Sequence, residues 1–258
     1  MKVYVSVLGN TGIRVSRLCI GTDYADVYGK SSLGREILLK GFSFGVNFWD
    51  TSESYGSYPA IREALKVLDR NKIVITSKSY GKTIGEAKRD LEDALREIGT
   101  NYLDIFMLHA VDTLEDFNAR REVLNFLLEC KRRGVIKAVG VSTHSAKVAM
   151  ALADIQEIEV ILTVLNMRGF HIRDGDLQIM HSAIKKLYDA GKGVYLMKVL
   201  ARGKLAEQSE EALRYVFKVP YVHAVSVGIK NLEELEKAVK IESEVEEMQR
   251  GIRRLNVP

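Results

Sequence analysis

Short apolar runs alternate with amphipathic segments along most of the chain. Each run is four to six residues long and is rich in branched apolar residues, which is typical of strands buried in a parallel sheet. Between the runs, apolar positions recur with the period of a helix. The pattern predicts eight strands, over residues 18–21, 46–50, 73–77, 104–108, 136–141, 160–165, 194–197 and 222–227.

The segment from Thr83 to Gly99 shows the helical period most clearly. Ile84 and Leu91 are among the apolar residues that fall on one face of a helix there. Thr83, followed three residues later by Glu86, predicts a capping box at the start of this helix, and Gly99 predicts its end. Further helices are predicted over residues 33–40, 59–68, 119–132, 146–153, 177–190, 210–217 and 232–248.

The order of these elements predicts the fold. Eight strand–helix units within 258 residues match the usual size of a (β/α)8 TIM barrel. Residues 3–8 and 13–18 alternate in polarity around a turn-rich stretch and predict an N-terminal β-hairpin. A doubly wound open sheet also alternates strands with helices, so the count of eight is what favours the barrel. Because no Pro- or Gly-rich linker interrupts the pattern, we expect a single domain over residues 1–258.

Composition narrows the possible partners and the cellular location. The 38 basic residues exceed the 34 acidic ones by only four, without the dense basic stripe that binds nucleic acid. No segment approaches the roughly 18 apolar residues of a membrane span, and the start of the chain does not match a secretory signal. We therefore expect a cytoplasmic protein with neither nucleic-acid nor membrane partners, and its oligomeric state stays open.

Cysteine and histidine usage gives no sign of a metal site. Cys19 and Cys130 are the only cysteines, and both are expected to be small core residues rather than a disulfide or a thiolate cluster. The histidines outside the predicted strand ends lack the spacing of metal ligands, and we expect each to be structural or exposed. They are His144, His171, His181 and His223.

Candidate catalytic residues lie at the ends of predicted strands. Asp50, Lys78 and His109 each close or follow a strand, and Tyr55 lies in the loop after Asp50. Because the carboxyl ends of all barrel strands open on one face, these four side chains should meet there. Each alone has an ordinary structural explanation, such as an ion pair or a loop aromatic. The four together favour catalysis.

Two distinctive blocks lie near the start of the chain, LGNTGIRVSRL at residues 8–18 and FWDTSESYG at residues 48–56. Together with ITSK at 75–78, DIFMLH at 104–109, VGVS at 139–142 and a later block at 224–236, they resemble the motifs of the aldo-keto reductase family, in the same order. The resemblance covers most of residues 8–240. It implies a (β/α)8 barrel that binds a nicotinamide cofactor and reduces aldehydes or ketones.

The chemistry of carbonyl reduction gives each of the four residues a role, and these roles agree with the resemblance. Tyr55 would donate a proton to the carbonyl oxygen, and Lys78 would acidify this phenol by favouring the phenolate. Asp50 would keep the buried Lys78 charged and fixed. His109 would donate to the carbonyl oxygen and orient a small-molecule carbonyl substrate.

Phosphate sites in such barrels often lie after the seventh and eighth strands. Here those loops are residues 197–205 and 228–231, and the first offers glycine backbone and three cations suited to a pyrophosphate. Tyr24, Tyr80 and His109 are the expected substrate contacts. The candidate cofactor contacts are Gly21, Thr22, Asp50, Ser142, Thr143, Met197, Lys198, Leu200, Gly203, Lys204, Lys230 and Glu234.

The expected cofactor site departs from the family pattern at several positions. Glu234 stands where relatives that choose the 2′-phosphorylated cofactor commonly have Arg, although Asn231 and Glu234 also match a helix cap. A carboxylate at Glu234 would repel a 2′-phosphate and favour NAD(H), whereas the positive charge of Lys230 would favour NADP(H). Family frequency places NADP(H) slightly ahead of NAD(H). Thr143 and Leu162 replace the usual Asn and Gln near the nicotinamide, and Met197 replaces a stacking Tyr.

The end of the chain bears on the width of the substrate pocket. After the last predicted helix only a basic tail over residues 250–258 remains, without the long C-terminal loop that shapes the pocket in many relatives. We therefore expect an open pocket and a broad range of carbonyl substrates. The alternative is a catalytically weak barrel that binds the cofactor and serves as a regulatory or partner-binding subunit.

Overall fold

Eight parallel strands close into a barrel in the computed structural model, which describes residues 2–30 and 32–255. An antiparallel hairpin of β1 (Val5–Val7) and β2 (Arg14–Ser16) precedes it. The predicted fold is thus confirmed, whereas the single-domain organisation over residues 1–258 stays a prediction. The barrel strands are β3 (Leu18–Gly21), β4 (Phe48–Asp50), β5 (Val74–Ser79), β6 (Leu103–Leu108), β7 (Ile136–Thr143), β8 (Val160–Val164), β9 (Gly193–Met197) and β10 (Ala224–Gly228).

Helices follow the barrel strands, and most start or end within a few residues of the predicted limits. The capping box of Thr83 and Glu86 is confirmed, and Gly99 ends that helix with a left-handed φ of 78°. The helices are α1 (Ala25–Tyr28), α2 (Ser32–Ser43), α3 (Tyr58–Leu65), α4 (Ile84–Ile98), α5 (Leu114–Ala119), α6 (Arg121–Arg132), α7 (Ala146–Leu152), α8 (Leu177–Asp189), α9 (Ser209–Phe217) and α10 (Leu232–Leu255).

One helix was missed, and one predicted helix is longer than expected. The short helix α5, which was not predicted, precedes the helix predicted over residues 119–132, which is present as α6 from Arg121. The chain changes direction between them at Arg120, where φ is −98° and ψ is 17°. Thr113 caps the first of these by accepting from the N–H of Asp116 at 3.0 Å. The last helix continues to Leu255 instead of ending at residue 248, so the predicted tail is helical up to that point. Residues 256–258 of the predicted tail lie outside the described part.

The hairpin closes the amino-terminal end of the barrel. Leu8 and Val15 join the apolar cluster inside the barrel, which also includes Phe48 of β4. The turn of the hairpin packs so closely on the start of β9 that a Cβ at Gly9 would clash with the backbone of Gly193. Because one end of the barrel is filled in this way, only the carboxyl ends of the strands are open to a ligand.

Several simpler predictions can be compared directly with the described residues. Cys19 and Cys130 are both buried free thiols, as predicted. No helix in the described ranges is long and apolar enough to cross a membrane. Among these residues there is also no group of three or more His, Cys, Asp or Glu side chains placed to hold a metal ion. The cytoplasmic location stays a prediction.

A buried carboxylate connects the hairpin to the last helix. Glu242 of α10 is fully buried and accepts from the backbone N–H of Tyr4 at 3.1 Å. Burial raises the pKa of Glu242 to about 8, and nearby Glu246 adds to the shift, although the bond from Tyr4 opposes it. Glu246 itself pairs with Arg17 at 2.8 Å. Glu242 is therefore largely protonated in the folded protein at neutral pH.

This shift predicts a pH-dependent stability. The folded pKa of about 8 lies above the unfolded value of ~4.3, so the free energy of unfolding should fall as pH rises between the two values and level off above the folded one. The slope from this one group approaches about 1.4 kcal/mol per pH unit. We expect Glu242→Gln, which keeps an acceptor for Tyr4 but cannot ionise, to flatten the decline in urea-unfolding measurements from pH 5 to 8. The exposed Glu247→Gln is the control, and an unchanged slope in Glu242→Gln would contradict the assignment.

Candidate active site

The structure brings the four predicted catalytic residues together at the carboxyl end of the barrel. Asp50 ends β4, Lys78 lies near the end of β5 and His109 directly follows β6. Lys78 Nζ lies 2.6 Å from Asp50 Oδ1 and 4.8 Å from the centre of the Tyr55 ring. The rings of Tyr55 and His109 are 6.0 Å apart. The arrangement follows from topology, because parallel strands in register end at one rim.

The pair of Lys78 and Asp50 is the charged centre of this cluster. Both side chains are buried, and Lys78 Nζ also donates to the carbonyl oxygen of Thr51 at 2.7 Å. Burial lowers the pKa of Lys78, but the charge and hydrogen bond of Asp50, together with the neighbouring Tyr55 and Cys19, more than offset this effect, so the net pKa is raised. Lys78 is therefore a fixed positive charge at neutral pH.

Tyr195 is a site residue that the sequence did not reveal. It lies on β9 inside the barrel, is fully buried, and donates its hydroxyl to Asp50 Oδ2 at 2.6 Å. Both oxygens of Asp50 are thus bound, one by Lys78 and one by Tyr195. Burial, reinforced by the charge of Asp50, raises the pKa of Tyr195, which therefore stays a hydrogen-bond donor. The only signal in the sequence is a phenol within an otherwise apolar strand.

Burial and the charge of Lys78 act in opposite directions on the pKa of Tyr55. Burial raises the pKa of Tyr55 to about 12, and Lys78 offsets only part of this rise. The charge of Asp50 also raises this pKa, which weakens the influence of the Lys78–Asp50 pair on the phenol. The expected acidifying effect of Lys78 on Tyr55 is thus present, but burial outweighs it in the free protein. Tyr55 keeps its proton at neutral pH, as a proton donor must.

His109 is held by a second group of residues. Its Nδ1 lies 3.0 Å from the hydroxyl of Ser52 and 3.7 Å from a carboxylate oxygen of Glu53. Tyr80 stacks on the imidazole with ring centres 3.9 Å apart, and Arg120 donates to the backbone carbonyl of His109 at 3.0 Å. Burial lowers the pKa of His109 despite the opposing effect of Glu53, so the ring is neutral near pH 7. Ser52 and Glu53 were not predicted.

A cleft of about 370 Å³ opens beside Asp50 and Tyr55. It extends across the rim to the start of α10 and is called the cleft below. Most of the predicted cofactor residues lie in its walls, as does the predicted substrate residue Tyr24. These wall residues include Gly21, Tyr24, Asp50, Tyr55, Leu162, Met197, Lys198, Leu200, Gly203, Lys230 and Glu234.

Four predicted cofactor residues are not among the wall residues of the cleft. The hydroxyls of three of them are bound within the protein, and the fourth is a lysine that lies over an aromatic ring. Thr22 Oγ1 donates to the carbonyl of Asp50 at 2.9 Å, Ser142 Oγ accepts from the N–H of Ala110 at 2.8 Å, Thr143 Oγ1 accepts from the N–H of Ser145 at 3.0 Å, and Lys204 Nζ lies 5.3 Å from the ring centre of Phe170.

The far end of the cleft is the first turn of α10. Asn231 Oδ1 accepts from the N–H of Glu234 at 2.9 Å, and Glu234 accepts from the N–H of Lys230 at 2.7 Å. The predicted capping role of Asn231 and Glu234 is confirmed. Lys230 Nζ lies 5.1 Å from the ring centre of Tyr24. The carboxylate of Glu234 is thus engaged by backbone, while the ammonium of Lys230 makes no ion pair with the described residues.

These walls fit a dinucleotide. Met197 offers an apolar surface for a nicotinamide ring in the cleft that Tyr55 also lines. Lys198, Lys230 and the start of α10 offer positive charge for phosphates. Gly203 adopts a left-handed φ of 94°, and the position of its absent Cβ has no heavy atom within 4 Å. The loop therefore exposes backbone that a phosphate could approach.

A second cavity, of about 750 Å³, has Tyr80, which stacks on His109, in its wall. It is called the cationic cavity below, because five of its wall residues are Lys or Arg and two are Asp. Tyr80, predicted as a substrate residue, lies in its wall, as do His144 and His171, which were expected to be structural or exposed. The full set of wall residues is Tyr80, Lys82, Ala110, Asp112, Thr113, Asp116, Arg120, His144, His171, Ile172, Arg173, Lys198 and Arg202.

Comparison with known proteins shows a consistent family likeness. Residues 17–211 match the model of the aldo/keto reductase family. Over 250 residues the chain is 22% identical to L-galactose dehydrogenase of Arabidopsis thaliana, which covers 89% of this chain and 77% of that enzyme. It is 24% identical over 173 residues to the methylglyoxal reductase DkgA of Escherichia coli O157:H7, a match that covers 63% of this chain and 62% of that reductase.

Solved structures share the fold. A putative aldo-keto reductase from Pseudomonas aeruginosa superposes with a TM-score of 0.79 at 23% identity, over 93% of this chain and 95% of that one. The holo form of an aldo-keto reductase from Bacillus halodurans gives 0.78 at 20% identity, over 93% and 90% of the two chains. At these identities the structural likeness supports the fold alone.

The bond from Tyr195 to Asp50 predicts a measurable loss of stability. We expect Tyr195→Phe to lower the free energy of unfolding by about 1–3 kcal/mol, because a buried carboxylate oxygen loses its donor. Tyr28→Phe is the matched control, since it removes a buried hydroxyl that donates to the neutral carbonyl of Ile229 at 2.8 Å, and its expected loss is about 1 kcal/mol. Equal losses in urea unfolding of the two variants would contradict a special role for Tyr195.

Proposed function

We propose that this chain, which belongs to the aldo/keto reductase family, reduces aldehydes or ketones to alcohols with a nicotinamide dinucleotide as the source of hydride. The observation that carries the proposal is the cluster of Asp50, Tyr55, Lys78 and His109 at the open end of the barrel, beside a cleft that fits the dinucleotide. Family membership makes the chain an oxidoreductase. The substrate class and the residue roles are the proposed part.

The proton required by the reaction comes from Tyr55. When bound in the cleft, the dinucleotide supplies hydride to the carbonyl carbon, and negative charge builds on the carbonyl oxygen. A donor must then lie within hydrogen-bond reach of that oxygen. Tyr55 lies in the wall of the cleft and, with its pKa raised to about 12 by burial, carries its proton at neutral pH.

Lys78 stabilises Tyr55 as the phenol loses its proton. Its ammonium lies 4.8 Å from the centre of the Tyr55 ring. The attraction between the ammonium and Tyr55 therefore grows stronger as negative charge develops on the phenolate. Asp50 keeps this ammonium charged, and Tyr195 fixes the second oxygen of Asp50. The charge is thus oriented before the reaction begins, and no reorganisation is needed when the proton moves.

His109 orients the carbonyl group. In the tautomer with the proton on Nε2, this nitrogen can donate to the substrate oxygen. The hydroxyl of Ser52, which donates to Glu53 in this structure, must then turn to donate to Nδ1, 3.0 Å away. Tyr80 covers one face of the imidazole and Tyr24 lies across the cleft, and they limit the position of the substrate. We expect this open site to accept a range of carbonyl compounds.

The phosphorylated dinucleotide is the form that we expect to bind more tightly. Lys230 has no ion pair within the described residues and faces the end of the cleft, whereas the carboxylate of Glu234 is engaged by the N–H of Lys230. An ammonium at this place would favour a 2′-phosphate over a 2′-hydroxyl. Glu234 opposes that preference, and the difference between the two cofactors should therefore be moderate.

Replacement of Lys230 tests the cofactor preference. We expect Lys230→Met to raise the Kd of NADPH about tenfold, the equivalent of one lost charge-assisted contact, with a much smaller effect on NADH. Fluorescence titration with both dinucleotides gives the two constants. Lys237→Met is the control, since Lys237 is exposed and bonds to Ser209 at 2.7 Å outside the cleft. Equal weakening of NADPH and NADH by Lys230→Met would remove the proposed contact.

Replacement of Tyr55 tests the reaction itself. We expect Tyr55→Phe to lower kcat for carbonyl reduction at least ~100-fold, the low end for loss of a general acid, while dinucleotide affinity is kept. Oxidation of the reduced cofactor is followed by its absorbance. Tyr58→Phe is the matched control, because Tyr58 is a nearby buried phenol that bonds to Ser77 at 2.8 Å. Full activity in Tyr55→Phe would refute the assignment, and wild-type binding without any turnover would favour a regulatory barrel.

A further inference from the structure

The cationic cavity adjoins the catalytic residues. Tyr80 in its wall stacks on the imidazole of His109, Ala110 follows His109 in the chain, and Arg120 donates to the carbonyl of His109. Its volume of about 750 Å³ exceeds that of the cleft beside Tyr55. A substrate whose carbonyl lies at His109 could therefore place a second group in this cavity.

The charges in the cavity wall do not balance. Five cationic side chains face two carboxylates, and both carboxylates already have partners. Asp116 is bound by Arg120 at 2.6 Å, and Asp112 by Arg173 at 3.2 Å. Three cations are left without an ion pair within residues 2–30 and 32–255. They are Lys82, Lys198 and Arg202.

Lys198 is held in place by the imidazole of His144. His144 Nδ1 lies 3.2 Å from both carboxylate oxygens of Asp112, which places the ring proton on Nδ1. His144 Nε2 then accepts from Lys198 Nζ at 2.8 Å. Burial lowers the pKa of Lys198, and the positive charge of Arg202 lowers it further. The carboxylates of Asp23 and Asp112 oppose these two effects only in part, so the net pKa is still lowered. A half-buried ammonium beside a second cation therefore gains from an anion that binds to both.

The backbone of the same loop is strained. Lys198, Ala201 and Arg202 all have left-handed φ values, between 50° and 55°, which residues with a Cβ rarely adopt. Such conformations persist where the surroundings enforce them, and they cluster at ligand sites. In this loop they carry two of the three cations that lack an ion pair.

We propose that the natural substrate is an anionic carbonyl compound, an oxo acid or a carbonyl phosphate, whose carboxylate or phosphate binds Lys198 and Arg202 in the cationic cavity while its carbonyl group lies at Tyr55 and His109. This inference rests on the proposed carbonyl reduction. The two cations also line the cleft, so the phosphates of the dinucleotide are the rival ligand that an experiment must separate.

Two pairs of aldehydes differ mainly in charge. 4-Oxobutanoate is compared with its methyl ester, and glyceraldehyde 3-phosphate with glyceraldehyde. We expect the wild-type protein to show a kcat/KM at least about tenfold higher for the charged member of one pair, as expected for one charge-assisted hydrogen bond. The preferred pair identifies carboxylate or phosphate as the anion.

A variant localises the preference. In the preferred pair of aldehydes, the preference is the kcat/KM of the charged member divided by that of the neutral member. We expect Lys198→Met to reduce this ratio at least about tenfold. The matched control is Lys147→Met, which removes an exposed lysine of α7 outside the cavity wall and should keep the ratio. A wild-type ratio near one would overturn the proposal. A ratio kept in Lys198→Met together with a raised dinucleotide Kd would also overturn it, because Lys198 would then serve the cofactor.

A binding measurement separates this inference from the proposed reaction. If neither charged nor neutral aldehydes are turned over, carbonyl reduction has failed, and the anion site is decided by calorimetric titration of succinate into the protein with bound dinucleotide. Succinate binding that is lost in Lys198→Met and kept in Lys147→Met supports the site. Absence of succinate binding in the wild-type protein overturns it.

Discussion

A charged pair inside the barrel, Lys78 with Asp50, determines how the rest of the site is built. Replacing a buried ion pair by apolar side chains is often neutral or even stabilising, so the pair does not explain the stability of the barrel. The pair matters because it fixes where the positive charge lies. Asp50 binds Lys78 with one oxygen and Tyr195 with the other, and this arrangement fixes an ammonium beneath Tyr55. A phenol whose pKa is raised by burial becomes an effective donor only when such a charge stabilises its phenolate.

The strands of the barrel, rather than long loops, place the residues of the site. Asp50 and Lys78 lie on β4 and β5, and His109 directly follows β6. The register of these three adjacent strands places their carboxyl ends side by side. The hairpin fills the opposite end of the barrel, and an apolar cluster lies between the two. Tyr195 places a hydroxyl in this apolar interior, and that hydroxyl is satisfied by its hydrogen bond to Asp50. The polar groups of the site therefore sit on a rigid base, which suits precise placement of a donor and a cation.

The sequence predicted the parts of the molecule that depend on periodicity and topology. Apolar runs located the strands, and strand order then brought Asp50, Lys78 and His109 to one rim. Tyr195 was missed because its inward orientation depends on strand register, where a shift of one residue reverses every side chain. The cluster of His144 and Lys198 was missed because it joins two loops without periodic sequence. The net pKa of Tyr55 depends on burial, which the sequence alone does not give.

The loop after β9 links the two cavities, because Lys198 and Arg202 lie in the walls of both. Under the proposed function, dinucleotide phosphates and a substrate anion would share the field of the same two cations. Each anion reduces the positive potential that the other meets, and such coupling is reciprocal by thermodynamic necessity. Lys230 and the amide groups at the start of α10 therefore matter beyond cofactor choice. They can draw dinucleotide phosphate toward the far end of the cleft, which leaves Lys198 and Arg202 to the substrate.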